Sequence, residues 1–184
     1  MRSTAVVKFS ARLLALVLVG CSPVPADPRA VLEEKVAKVD AATQDVLEAL
    51  DAAGLSGASA HGSVDGCQSE PAPGVAYRAG ISVTLGDDLV TGFNALVEQL
   101  EMTEWIDTHN YDDLDIPAET PAGRFTRDDI TLDIKTGGTT AGEIQYGADE
   151  MDLGIRIAND CVRIPDGAYF TKMVDLEKEI LPRG

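Results

Sequence analysis

The sequence is short of the residues on which most catalysis depends. Its only histidines are His61 and His109. Neither has a second histidine or a cysteine at metal-ligand spacing, and neither is paired with a motif nucleophile. Gly57-Ala58-Ser59-Ala60-His61 falls one residue short of a Gly-x-Ser-x-Gly nucleophile elbow, and no strand leads into it. Gly137-Gly138-Thr139-Thr140 lacks the lysine of a phosphate-binding P-loop. Cations are scarce too: 15 Lys and Arg stand against 31 Asp and Glu, a formal charge of −16. That balance argues against nucleic acid and anionic lipid surfaces as partners, because both repel it. Long apolar runs are missing. The best, Leu13 to Val19, is too short to span a bilayer. The expectation is a chain that is not an enzyme, with no cofactor and no metal site.

What is present at the start of the chain says where the protein resides. Arg2, Lys8 and Arg12 precede the apolar run with no acid among them, the pattern of a secretory signal over residues 1–20. Leu18-Val19-Gly20-Cys21 then resembles the lipobox of bacterial lipoproteins at all four positions. The resemblance implies that the Cys21 thiol carries a diacylglycerol, that cleavage falls before it, and that the chain is anchored on the extracytoplasmic face of the cell membrane. Two acyl chains make a stable anchor where a single one, at roughly 0.8 kcal/mol per buried methylene, is marginal. Losing Arg2, Lys8 and Arg12 makes the remaining chain three charges more negative than −16. Residues 21–29 are expected to form a lipid-bearing, proline-rich tether. Ser22 to Pro28 reaches at most about 25 Å, so the domain stays close to its membrane.

With Cys21 taken by lipid, Cys67 and Cys161 remain. Two cysteines in an oxidising compartment are expected to pair, and neither has a neighbour suited to a metal instead. Residues 30–184 read as a single domain. Asp27-Pro28 is a helix start, and Leu32, Val36, Val39, Thr43, Val46 and Leu50 form one apolar stripe to about residue 53, ended by Gly54. Strands follow over His61 to Cys67 and Val75 to Leu85, the second with clear alternation. A helix opened by Gly86-Asp87 buries Leu89, Phe93, Leu96, Val97 and Leu100. Residues 105–108 are a short strand or a frayed helix end, and 107–120 an acidic irregular loop. Further strands are expected around Ile130 to Ile134, Ile144 to Tyr146, Met151 to Ile157 and Cys161 to Ile164. A last helix, capped by Asp166, carries Tyr169, Met173, Leu176 and Ile180. The predicted class is α+β: an antiparallel sheet of about five strands with helices on one face.

The order of these elements, with a mid-chain cysteine and a final hairpin running into Asn159-Asp160-Cys161, resembles LppA-type mycobacterial lipoproteins. The high Ala, Gly and Asp content also looks actinobacterial. The resemblance covers most of the chain as order and little of it as identity, and no catalytic residues are carried over. The functional expectation is a non-enzymatic, membrane-anchored module that binds a protein partner, possible in an immunity-type form against a basic protein. Trp105, Tyr111, Asp112, Asp113 and Asp115 are the candidate partner-facing residues: acids for rate, aromatics for hold. The alternative is a carrier or sensor of a small apolar ligand kept between helices and sheet. A lesser one is calcium held by Asp107, Asp112, Asp113, Asp115 and Glu119, although the EF-hand pattern is absent. A closed core with an exposed apolar patch beside the acids favours protein binding, and a lipid-sized cavity favours the carrier.

Overall fold

The computed structural model describes residues 24–70, 72–85, 89–108, 121–137, 140–141, 144–145 and 149–181. Cys21 and the span 109–120, with Tyr111, Asp112, Asp113, Asp115 and Glu119, lie outside the described residues, as does the Gly86-Asp87 helix start.

Helix α1 spans Pro28–Ala52. Pro28 opens it, and the Asp27 carboxylate accepts from the Ala30 amide at 3.1 Å, satisfying one of the donors a helix start leaves bare. The expected stripe is buried in full. Thr43 fits among the aliphatics because its hydroxyl donates back to the Val39 carbonyl at 2.7 Å. Helix α2 spans Leu89–Met102 and buries Leu96 and Leu100. Among the described residues no helix is long and apolar enough to cross a membrane.

The fold is α+β with an open antiparallel sheet of eight strands, more than the five expected. The strands are β1 Ser59–Gln68, β2 Gly74–Thr84, β3 Ile106–Asp107, β4 Ala122–Arg127, β5 Ile130–Thr136, β8 Glu150–Ile157, β9 Val162–Arg163 and β10 Lys178–Leu181, with a separate two-residue hairpin of β6 Thr140–Ala141 and β7 Ile144–Gln145. Their order across the sheet is β10-β1-β2-β8-β5-β4-β3, and β9 continues along β2 beyond the end of β8. The core joins α1 and α2 to one side of the sheet, through Val75, Tyr77, Ala79, Ile81 and Val83 of β2, Leu132 and Ile134 of β5, and Met151, Leu153 and Ile155 of β8.

Three expectations change. Ala122–Arg127 is a strand although only Phe125 marks it as apolar, because β5 needs a partner on its outer edge. Ile144–Gln145 pairs with Thr140–Ala141 and stays off the main sheet. The last helix is one turn, α3 Gly167–Phe170, followed by a 3-10 turn at Val174–Leu176 and then β10. The stripe is still used inward: Met173 is buried, and Tyr169, Leu176 and Ile180 pack on the core. The backbone leaves the helix because the free edge of β1 offers ladder hydrogen bonds, taken in the pairs His61–Glu179 and Gly62–Lys178.

Cys67 and Cys161 are disulfide-bonded, with Cα atoms 5.7 Å apart. The bridge crosses directly above Gly74, where a Cβ would sit 2.5 Å from the Cys161 sulfur. It therefore straps the end of β1 over β2 to the start of β9.

Candidate functional site

Strand alternation gives the sheet a second face, with no helix against it among the described residues. Odd residues of β1 and β5 and even residues of β2, β8 and β4 point there. Cross-strand register lines them up in rows. The middle row runs Glu179, His61, Gly80, Gly154, Asp133, Arg124 from β10 to β4. Two residues to one side lie Ser63, Arg78, Arg156 and Thr131, and two to the other side Ser82, Asp152 and Lys135. The paired glycines leave a trough of about 330 Å³, whose lining takes in His61, Arg78, Asp133, Lys135, Asp152 and Arg156. At Gly154 a Cβ would meet nothing within 4 Å, whereas at Gly80 it would meet the His61 ring at 2.9 Å. His61 thus closes one end, and Asp133 stands at the other.

The carboxylates of the trough have donors. Asp133 accepts from Arg124 Nε at 2.5 Å and from Arg156 at 3.3 Å. Asp152 accepts from Ser82 and Asp65 from Ser63. The cations are less well matched. Among the described residues Arg78 and Lys135 make no ion pair. Arg78 also faces Arg156 as its direct cross-strand partner, an arrangement that repels. Asp160, 9 % exposed beyond the end of β8, has one carboxylate oxygen without a hydrogen-bond partner among the described residues. Burial pushes its pKa up, and the charges of Arg78, Lys35 and Arg156 only partly offset that.

The corner where α2 ends is different in kind. The Thr103 and Trp105 amides both donate to the Leu100 carbonyl, and Glu104 sits at φ 66°, the left-handed position that usually closes a helix with glycine. The turn delivers β3 to the outer edge of the sheet. Met102 is 70 % exposed and Ile106 65 %, with Glu101, Glu104 and Asp107 exposed around them. The acidic stretch 109–120 continues from this corner.

Trp105 is corrected by the structure. It is buried, at 3 % exposure, and Arg127 lies over its ring at 4.7 Å from the centroid while pairing with Asp45 of α1. It fastens β3 to the core and offers no contact surface. Its neighbours Met102 and Ile106 do, and the exposed apolar residue following Trp105 was the available signal for them. No protein-family model, curated protein or solved structure matches the chain.

Among the described residues no group of three or more His, Cys, Asp and Glu side chains is placed to hold a metal. On the open face the His61 ring lies over Gly80, and the Ser63 and Ser82 hydroxyls donate to Asp65 and Asp152.

Proposed function

We propose that the chain is a membrane-anchored cell-envelope lipoprotein, held outside the cytoplasm through Cys21, whose domain is a non-enzymatic module for binding a protein partner. The observation that carries the partner-binding reading is that Met102 and Ile106, at an acidic corner, are the most exposed large apolar residues among the described residues. Large apolar side chains at the end of α2 and on the edge strand β3, with exposed Glu101, Glu104 and Asp107 as chain neighbours, suit an interface in which apolar contact holds and charge steers a basic partner. The Cys67–Cys161 bond supports an oxidising compartment, in keeping with the lipobox at Leu18 to Cys21. The resemblance to LppA-type lipoproteins belongs to the same reading.

An apolar carrier has less support. The space it needs between helices and sheet is taken by Leu32, Val39, Val46, Leu50, Leu96 and Leu100, each at most 1 % exposed. Another cleft, where α1, the end of α2 and β4 meet, is bordered by Asp45, Glu48, Gln99 and Arg127.

Two measurements test the proposal. Wild type should partition into the detergent phase and Cys21→Ala should not; equal partitioning removes the anchor. A photo-crosslinking residue at Met102 or Ile106, in cells, should yield one discrete adduct that the same residue at Glu48 does not. Identical adduct patterns from all three positions would discard the corner as the docking site.

A further inference from the structure

The open face carries a second feature that the docking corner does not use. This acidic chain gathers Arg78, Arg124, Lys135 and Arg156 on one side of its sheet. Asp133 engages Arg124 and Arg156. Arg78 and Lys135, on opposite walls of the trough, have no ion-pair partner among the described residues. Between the walls the floor is Gly80 beside Gly154, and at Gly154 the space above the backbone is open. The walls stand two residues to either side of that floor, roughly 13 Å apart at strand rise.

We propose that this trough binds a small organic oxyanion, a carboxylate or phosphate on a hydroxylated body of about hexose size. The lining's three cations, Arg78, Lys135 and Arg156, are matched in number by Asp65, Asp133 and Asp152, so the headgroup is selected locally, by the two cations that lack an ion pair among the described residues. Arg78, which makes no ion pair among the described residues, stands directly across from Arg156, and guanidinium forks grip two-oxygen anions in parallel hydrogen bonds. Such a ligand would also relieve the repulsion between two directly opposed arginines. Lys135 faces it from the other wall. Ser63, Ser82 and Asp152 offer hydrogen bonds to hydroxyls, and the missing side chain at Gly154 lets the body lie against the backbone. The volume of about 330 Å³ sits at the small end of ligand pockets, so a macromolecular anion does not fit inside it. The inference is independent of the docking corner at Met102 and Ile106.

The test is titration of the domain, uniformly labelled with nitrogen-15, by glucose 6-phosphate, glucuronate, glucose and inorganic phosphate, with affinity from calorimetry. Saturable shifts should centre on the Gly80 and Gly154 amides with one or both charged sugars and be absent with glucose. The stronger of the two names the headgroup. Arg78→Ala should weaken that probe by about tenfold or more, as expected for loss of a charge-assisted pair. Gly154→Leu, which fills the trough and leaves every charge in place, should abolish binding while Arg78→Lys retains part of it. The proposal is overturned if neither charged sugar shifts the two glycines. It is equally overturned if inorganic phosphate binds as tightly as the hexose phosphate, or if Arg78→Ala and Gly154→Leu leave affinity unchanged.

Discussion

Ile134 and Lys135 are consecutive in β5 and belong to different environments. Ile134 is 1 % exposed under the helices, and Lys135 stands on the opposite side in a wall of the trough. The same division runs through β1, β2 and β8. One face is apolar, interlocked and sealed. The other is built from charges whose pairing is incomplete. A packed core fixes side chains by shape, so its residues answer to their neighbours. A solvated face has no such demand, and unmatched cations there are tolerated at little expense, which leaves them available to something else.

Substitutions can break or sharpen this contrast. The largest effect should come from Cys67→Ser with Cys161→Ser, which releases the strap holding the ends of β1, β2 and β9. With the cysteines 94 positions apart in sequence, the chain-entropy relation gives a loss of about 4–5 kcal/mol. Denaturant unfolding of oxidised wild type and variant measures it. A loss below about 1 kcal/mol would mean that the strap constrains neither face. Next, Ile134→Ala should destabilise by about 2–5 kcal/mol, and Lys135→Ala should stay within about 0.5 kcal/mol. Similar values for the two would abolish the distinction between the faces.

Two strand glycines give a finer comparison. A Cβ on Gly62 would overlap the buried Tyr77 hydroxyl, at 1.7 Å, and displace it from Asp40, to which it donates at 2.9 Å. Gly62→Ala should therefore lower stability by about 1–3 kcal/mol. Gly154→Ala meets open space and should raise it by about 0.4–1 kcal/mol through the unfolded chain. Thermal melts of both variants check the opposite signs.

The smallest effects concern pH. Lys38 holds the Asp129 carboxyl below its ordinary value of 3.8, and Arg29 does the same for Asp175. Their contribution is present above 3.8 and is lost as pH falls through the depressed values. Asp160 has the reverse sign. Its raised pKa means that ionisation opposes folding, so the penalty is full above the folded value and vanishes toward pH 3.8 and below. Asp160→Asn should raise the melting temperature at pH 7 and match wild type in acid. Asp129→Asn with Asp175→Asn should flatten the acid decline. If Asp160→Asn melts lower at pH 7, the interaction with Arg78 outweighs burial.

The sealed face was far more legible in the sequence than the open one. The α1 stripe and the alternation of Val75 to Val83 announced themselves because burial demands large apolar side chains at a fixed period. The disulfide followed from counting cysteines. Ala122–Arg127 escaped because Gly123 and Ala122 bury little side chain and Arg124 and Arg127 disguise the period. The final strand escaped because Tyr169, Met173, Leu176 and Ile180 do repeat at helical spacing, and only the waiting edge of β1 decides the backbone. The trough was invisible for a related reason. Gly80, Gly154, Arg78 and Lys135 become neighbours through register between β2, β8 and β5, and register is a property of the assembled sheet. Trp105 was recognised as a large aromatic near acids, but nothing local said which way it would face.

The strand order also governs how the chain comes together in time. β2 emerges early, yet its second edge is filled by β8 and β9, and the outer edge of β1 waits for β10. The first hairpin therefore has two unsatisfied borders until β8, β9 and β10 have been made. Closing them joins segments far apart along the chain, the kind of search that places folding on the order of milliseconds to seconds rather than microseconds. During that interval the half-made sheet is at its most adhesive, and the outer edge of β1 is covered only when β10, Lys178–Leu181, pairs with it.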